Sequence, residues 1–206
     1  MFGLRYDPAF LTAHERVREG DVGEVRLLNA RKSYVLGDRG EPYLRREAYG
    51  GTIPWVGIHA IDWIHWFSDL PARTVRARHS RRANRDHGDL EATGVVDLEL
   101  DGEVFATASL DYLRPGTAPT HGDDRVRVVG TDGVIEVRNG RAYLIDGAAD
   151  GERRLPQSPG ENPFVDFVEG LRGDSEPRVT AEESFRATET SLHARNAADA
   201  DEIRRL

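Results

Sequence analysis

Four side chains between residues 54 and 67 have the types and the spacing for proton chemistry. Trp55, His59, Asp62 and Trp66 are four, three and four residues apart, so a helix turning about 100° per residue places them on one narrow stripe. Histidine, with an ordinary pKa of about 6.5, can exchange protons at neutral pH. His59 is therefore a candidate general base, and Asp62 could orient it or anchor the helix. The alternative is a core histidine satisfied by Asp62 or by the backbone.

The aromatic and polar residues of this segment each have a second interpretation. Trp55 could offer a flat apolar wall to a ligand, or it could simply pack in the core. Trp63 and Phe67 are predicted core residues. His59, Asp62 and His65 are metal-ligand types, but His59 and His65 lie about 120° apart on a helix. The sequence therefore predicts no metal site.

Two other segments contain polar and aromatic residues that could contact a ligand. Lys32, the only lysine, and Tyr34 lie in a long predicted strand. Tyr49 lies near Arg45 and Arg46 in a charged loop, predicted over residues 37–51, that could close over a site. For Lys32 the structural alternative is an exposed strand residue, and for the loop residues it is a solvated surface.

The helix that positions His59 has recognisable start signals. Gly50-Gly51 forms a turn, Thr52 is a predicted N-cap, and Pro54 suits the first helical turn. The residues that follow are largely apolar, so this helix is predicted to be buried. A carboxylate such as Asp62 then needs a partner, because burying an unpaired charge is costly.

Composition restricts the class of protein. Hydrophobic residues make up 38% and charged residues 31% of the 206 residues, which is typical of a globular domain. The absence of cysteine excludes disulfides and thiolate chemistry. A net charge of -8 argues against nucleic acid or an anionic membrane as a partner. No signal peptide or apolar run of about 20 residues is visible, so we expect a cytoplasmic protein.

The remaining elements are predicted from periodicity and turn residues. Asp101-Gly102 between two alternating runs is a strong hairpin signal, and Thr180 with Glu183 has the pattern of a capping box. The predicted strands are 1–5, 24–36, 74–82, 92–100, 103–113, 125–129, 133–137 and 141–145, and the predicted helices are 8–19, the segment after Thr52, 162–173 and 181–203. This order predicts an α+β fold with an open, mainly antiparallel sheet and helices packed on one face.

At this point the chain resembles the C-terminal, substrate-binding domain of the glucose-fructose oxidoreductase / inositol dehydrogenase (Gfo/Idh/MocA) family. Five segments carry the resemblance in the family's order, namely 5–8 with 19–25, 50–62, 130–137, 164–173 and the last helix. Residues 1–206 are accordingly expected to form a single domain. The family's signature helix reads Asp-x-Gly-x-His. Here Gly57 and His59 match it, and Trp55 stands at the aspartate position.

The resemblance implies an NAD(P)-dependent oxidoreductase acting on a sugar, cyclitol or related polyol. In the family an N-terminal Rossmann domain binds NAD or NADP and supplies a Glu-Lys-Pro lysine. Neither this motif nor a Gly-x-Gly-x-x-Gly after a strand is present here, so we expect no cofactor-binding residues and no activity from this chain alone. His59 would be catalytic, and Trp55, Lys32, Tyr34 and Tyr49 would bind substrate.

Two functional hypotheses remain open at this stage. One is the substrate-binding and oligomerisation domain of such an enzyme, pairing subunits through the sheet face and relying on a Rossmann domain in cis or from a partner chain. The other is a non-enzymatic binding or assembly module that keeps the fold. The replacement of the aspartate by Trp55 favours the second hypothesis.

Overall fold

A nine-stranded sheet organises the chain in the computed structural model, which describes residues 2–206. The strands are β1 (Val25–Ser33), β2 (Ala72–Ser80), β3 (Thr93–Leu100), β4 (Val104–Asp111), β5 (Arg125–Gly130), β6 (Gly133–Arg138), β7 (Arg141–Asp146), β8 (Arg153–Arg154) and β9 (Ile203–Arg205). Their order across the sheet is β8-β7-β6-β5-β1-β4-β3-β2-β9. Among the described strands only β1 and β4 pair in parallel. The predicted α+β fold with a mainly antiparallel open sheet is therefore confirmed.

Five α-helices accompany the sheet within residues 2–206. They are α1 (Pro8–Arg18), α2 (Arg46–Tyr49), α3 (Ile58–Ser68), α4 (Pro163–Arg172) and α5 (Ala181–Ala200). Asp7 caps α1 through its side chain, and the predicted capping box of Thr180 and Glu183 opens α5. None of the helices in the described part of the chain is long and apolar enough to cross a membrane.

The core lies between the sheet and the helices α1, α3 and α5. Strand side chains alternate between the two faces, as β4 illustrates: Ala106 and Ala108 are buried and Phe105 is exposed. Trp63 and Phe67 of α3 are buried in this core, as predicted.

The opposite face of the sheet is open and carries a continuous row of apolar residues. The strand register places these side chains next to one another across five strands, from β7 to β4, and we call them the apolar row: Ile145, Val134, Val129, Leu27 and Phe105. Phe105 is 54% exposed. An exposed apolar patch of this kind is typical of an interaction surface.

The chain ends differ from the sequence-based expectation. The strand predicted over 1–5 is a 3₁₀ turn at Gly3–Tyr6, and Met1 lies outside the described residues. The last helix ends at Ala200 because Asp201 adopts a left-handed conformation. The residues after it, Ile203–Arg205, form the edge strand β9 against β2 instead of continuing the helix.

The loop predicted over residues 37–51 contains a 3₁₀ turn (Glu41–Leu44) and the short helix α2. Thr52 was predicted to cap the next helix, and this is wrong because its own backbone is already helical. Its hydroxyl instead donates to the carbonyl of Glu91 at 2.8 Å, and its amide donates to the Glu91 carboxylate at 2.9 Å. The buried Glu91 therefore ties the loop to the sheet.

Candidate active site

A π-helical turn, Ile53–Gly57, leads directly into α3 and sets the position of His59. Pro54 lies at its start, as predicted, and needs no N–H partner there. Gly57 packs closely on β4, since a Cβ at this position would lie 3.0 Å from the Leu110 side chain. π-turns of this kind are frequent at functional sites.

The π-turn separates Trp55 from the residues with which it was predicted to form one stripe. A wider turn changes the angle per residue, so the stripe expected from a regular helix does not extend back to Trp55. Trp55 is 49% exposed, and its ring meets the Tyr43 ring edge-on at 5.5 Å. The core-packing alternative for Trp55 is wrong, and its exposed ring is available to a ligand.

His59 lies half-buried in the first turn of α3. Its ring packs edge-on against Phe2, with the ring centroids 6.0 Å apart. Burial and the positive charge of Lys32 lower the pKa of His59 to about 4. The imidazole is therefore unprotonated at neutral pH and able to accept a proton.

Asp62 does not orient His59 but anchors α3 to the start of the chain. Arg5 donates to both of its carboxylate oxygens, from Nη2 at 2.6 Å and from Nε at 3.1 Å. The same guanidinium donates to Glu183 at 2.6 Å. Arg5 and Asp62 are both buried, so their charges compensate each other in the core.

Lys32 is buried, so the structural alternative of an exposed strand residue is wrong. It is 4% exposed and points to the helix-covered side of β1. Its ammonium donates to Asp124 at 2.8 Å and lies 4.8 Å from the centre of the Tyr34 ring and 5.1 Å from that of Trp63. A carboxylate and two aromatic faces thus compensate the buried charge.

Tyr34 lies beside Lys32, where β1 ends. Its ring packs near those of Tyr112, at 6.4 Å, and His121, at 5.2 Å. Tyr112 is fully buried, whereas Tyr34 is half-buried. The structure therefore brings Lys32 and Tyr34 together, as expected for neighbours on one strand face.

Tyr49 is buried, in contrast to the prediction of a substrate-facing loop residue. Its hydroxyl donates to the carboxylate of Glu91, and burial raises its pKa. Its ring is 6.1 Å from Tyr43, which connects it to Trp55. Tyr49 thus packs behind the rings of Tyr43 and Trp55, and its hydroxyl is already hydrogen-bonded to Glu91.

Sequence reasoning missed Arg5, Glu91 and Asp124 as partners of buried groups. Asp124 carried a usable signal, because two consecutive aspartates directly precede β5, the strand next to that of Lys32. Glu91 and Arg5 carried none, since their partners are 39 or more residues away in the chain.

The described residues contain neither a cluster placed to hold a metal ion nor a Rossmann-type dinucleotide site. Within residues 2–206 no group of three or more histidine, aspartate or glutamate residues is placed to hold a metal. A Rossmann-type site needs a parallel strand, a glycine-rich turn and a helix N-terminus in succession. Neither strand of the described parallel pair is followed by such a unit. β1 leads into the segment with the Glu41–Leu44 turn, and β4 leads into the connection to β5.

Comparison with known proteins identifies several relatives of this chain. A structure from Thermotoga maritima described as an oxidoreductase is 51% identical and superposes with a TM-score of 0.97 over 100% of this chain and 62% of that one. An uncharacterised oxidoreductase of Synechocystis sp. is 24% identical over 68% of this chain and 42% of its own length. The chain therefore spans less than two thirds of the length of these relatives.

More distant structures share the fold. The aldose-aldose oxidoreductase of Caulobacter crescentus, solved with glycerol, is 18% identical with a TM-score of 0.84, over 98% of this chain and 62% of that one. GenD2 from gentamicin A biosynthesis, solved with NAD, is 20% identical with a TM-score of 0.75, over 100% of this chain and 62% of that one. The GFO/IDH/MocA C-terminal domain matches residues 10–136. The chain thus belongs to the GFO/IDH/MocA C-terminal domain family.

Proposed function

We propose that this chain is the substrate-binding domain of an NAD(P)-dependent oxidoreductase that acts on a sugar, cyclitol or related polyol. The observation that carries the proposal is His59, a half-buried imidazole in the first turn of α3 whose pKa the positive charge of Lys32 helps to lower. Such a group can accept the proton of a substrate hydroxyl. Trp55 offers its exposed ring to the apolar face of a sugar, and Lys32 and Tyr34 contribute polar groups to the same region.

The named functions of distant neighbours are consistent with this substrate class. One neighbour acts on aldoses and was solved with glycerol, and another was solved with NAD. Because the residues of this chain do not fit a dinucleotide, we place the NAD or NADP site on a separate Rossmann-type domain. The chain's own contribution is then the proton acceptor and the substrate pocket.

The surface of α4 supports contact with such a domain. Phe164, Phe167 and Leu171 are three and four residues apart on α4, and each is more than half exposed. The first two line a cavity of about 260 Å³ together with Phe2 and Tyr6. An amphipathic helix with its apolar side uncovered is incomplete by itself, and relatives have additional chain that could cover it.

We further propose that the open sheet face pairs two copies of the chain. The apolar row crosses five strands and remains uncovered in a single chain. A two-fold arrangement would bury the row of each copy against that of the other. This assigns separate surfaces to the two contacts, the sheet face to a second copy and α4 to the dinucleotide-binding domain.

The proposal is tested first on the chain itself. Saturation-transfer NMR with aldoses and myo-inositol should show binding that Trp55→Ala weakens and that Phe185→Ala, an exposed aromatic of α5, leaves unchanged. NAD(H) and NADP(H) should not bind tightly. Tight dinucleotide binding would contradict our placement of the cofactor site.

The second test uses the protein that combines this chain with a dinucleotide-binding domain. Polyol-dependent reduction of NAD⁺ or NADP⁺ should fall by roughly 10²–10⁴-fold in His59→Ala, as expected when a general base is removed. Unchanged activity in His59→Ala would exclude His59 from the mechanism. Ligand binding without any turnover would favour the non-enzymatic binding module.

A further inference from the structure

The ammonium of Lys32 is held on three sides. Asp124 accepts a hydrogen bond from it at 2.8 Å, and the rings of Tyr34 and Trp63 lie at 4.8 Å and 5.1 Å. A lysine side chain ordinarily reaches solvent, yet this one is 4% exposed. Burying a charge is costly unless it is paired, and here Asp124 and the two rings provide the pairing.

The contact with Trp63 places the Lys32 ammonium against the side of α3 that carries His59. Trp63 follows His59 by four residues on α3, and helical side chains lean toward the helix N-terminus, so the ring extends toward the turn that holds His59. Lys32 is the side-chain charge within residues 2–206 that lowers the pKa of His59. Asp62, the carboxylate on the same helix, is paired with Arg5 instead.

Asp124 is committed to Lys32, unlike its neighbour in sequence. Asp123 is bound by Arg31 and Arg125, whereas Asp124 makes its ion pair with Lys32. Burial raises the pKa of Asp124, Lys32 counteracts the rise, and Asp123 and Asp7 add to it. Two adjacent aspartates therefore have separate partners on opposite faces of β1.

We infer that Lys32 and Asp124 are positioning residues for His59: Asp124 fixes the Lys32 ammonium against Trp63, and the fixed positive charge keeps the imidazole unprotonated until a substrate hydroxyl reaches it. The same charge stabilises the oxygen anion that develops as a substrate hydroxyl loses its proton to His59. This last effect rests on the proposed polyol oxidation, whereas the coupling among the three side chains does not.

The coupling is tested by NMR titration of histidine-labelled chain. In Lys32→Met the pKa of His59 should rise from its wild-type value by roughly one pH unit, because a nearby like charge is removed. Arg31→Met is the matched control. It removes a positive charge from the adjacent residue on the other face of β1, and it should leave His59 unchanged. No change in Lys32→Met, or equal changes in both variants, would overturn the inference.

The role of Asp124 has an independent readout that does not require a change at His59. Because Lys32 is the only lysine, lysine-specific ¹³C labelling gives one ε-methylene signal, which the Trp63 and Tyr34 rings should shift upfield. Asp124→Asn should move this signal toward that of free lysine. Asp124→Glu, which keeps the carboxylate, should move it less, and Asp123→Asn should not move it. An unshifted signal in the wild type, or no effect of Asp124→Asn, would refute the positioning role.

Turnover separates this inference from the proposed function. In the protein with its dinucleotide-binding domain, Lys32→Met should lower kcat more than it raises KM, and it should move the acid limb of the pH–rate profile upward. If no polyol is oxidised even by the wild type, the proposed function fails, and the two NMR measurements still decide whether Lys32 and Asp124 position His59.

Discussion

Arg5 reaches into the core and donates to both carboxylate oxygens of Asp62, at 2.6 Å and 3.1 Å. The pair joins the first turn of the described chain to the helix that carries His59. Because Arg5 also donates to Glu183 at 2.6 Å, the start of α5 is part of the same network. The orientation of the His59 helix therefore depends on residues far apart in the sequence.

Breaking this network should destabilise the fold strongly. Arg5→Met should lower the free energy of unfolding by about 3–5 kcal/mol, because the buried Asp62 carboxylate is left without its partner. Asp62→Asn should cost less, because Arg5 keeps its ion pair with Glu183. Urea unfolding followed by circular dichroism measures the loss. The control is Arg18→Met, which breaks an exposed ion pair with Asp69 at 3.5 Å and should cost less than about 1 kcal/mol. Equal losses in the buried and exposed variants would show that Arg5 does not anchor α3.

A buried neutral histidine should make the fold sensitive to acid. His65 accepts a hydrogen bond from Thr190 at 3.0 Å and donates one to the Leu70 carbonyl at 3.3 Å, and burial lowers its pKa to about 4. In the unfolded chain the pKa of a histidine is about 6.5. The contribution of neutral His65 to the free energy of unfolding is therefore complete above about pH 6.5. It is lost as the pH falls toward 4, by about 3 kcal/mol in total.

Urea unfolding between pH 7 and pH 4 tests this linkage. His65→Gln should be less stable than the wild type at pH 7, and its stability should fall less steeply with decreasing pH. Burial also lowers the pKa values of His14 and His59 to about 4, so these two residues add the same pH dependence of stability to both proteins. A pH dependence that is identical in the two proteins would contradict the assignment of a neutral His65.

The buried Glu91 should control the mobility of the loop behind Trp55. Its carboxylate accepts from Tyr49 and from the Thr52 amide and is ion-paired with Arg46. Glu91→Gln should accelerate hydrogen exchange over residues 46–52 at least tenfold, since one lost charge-assisted interaction is worth about 1.5–3 kcal/mol. Asp199→Asn removes an exposed partner of Arg46 and should have a smaller effect. Unchanged exchange in Glu91→Gln would mean that other contacts hold this loop.

The open sheet face should determine the association state. If two copies pair through the apolar row, Phe105→Glu places two uncompensated charges in the interface and should shift the chain to monomers in analytical ultracentrifugation. Phe185→Glu changes an exposed phenylalanine on α5 and should leave the sedimentation coefficient unchanged. A wild-type monomer at high concentration would contradict pairing of the isolated chain through this face.

Local signals predicted most of the secondary structure. The Asp101-Gly102 hairpin, the three short strands that follow and the capping box of α5 all depend on neighbouring residues, and the structure contains each of them. The edge strand β9 was missed, because its three residues gain strand structure only by pairing with β2, which lies far away in sequence.

The candidate site was predictable in part for the same reason. The position of His59 near a helix start follows from local residues and from the Gly57-x-His59 spacing. The burial of Lys32 depends on Asp124, 92 residues away, and that of Tyr49 depends on Glu91, 42 residues away. A periodic pattern on one strand or loop contains no information about such distant partners.

The one parallel pairing among the described strands has a consequence for the order of folding. β2, β3 and β4 form one antiparallel unit of neighbouring strands, and β5, β6 and β7 form another. β1 joins the two, although Asn29 and its hydrogen-bond partner Thr107 are 78 residues apart. Closing so long a loop is slow compared with forming hairpins. We therefore expect docking of β1 between the two units to limit the rate of folding, and the same step brings Lys32 to α3.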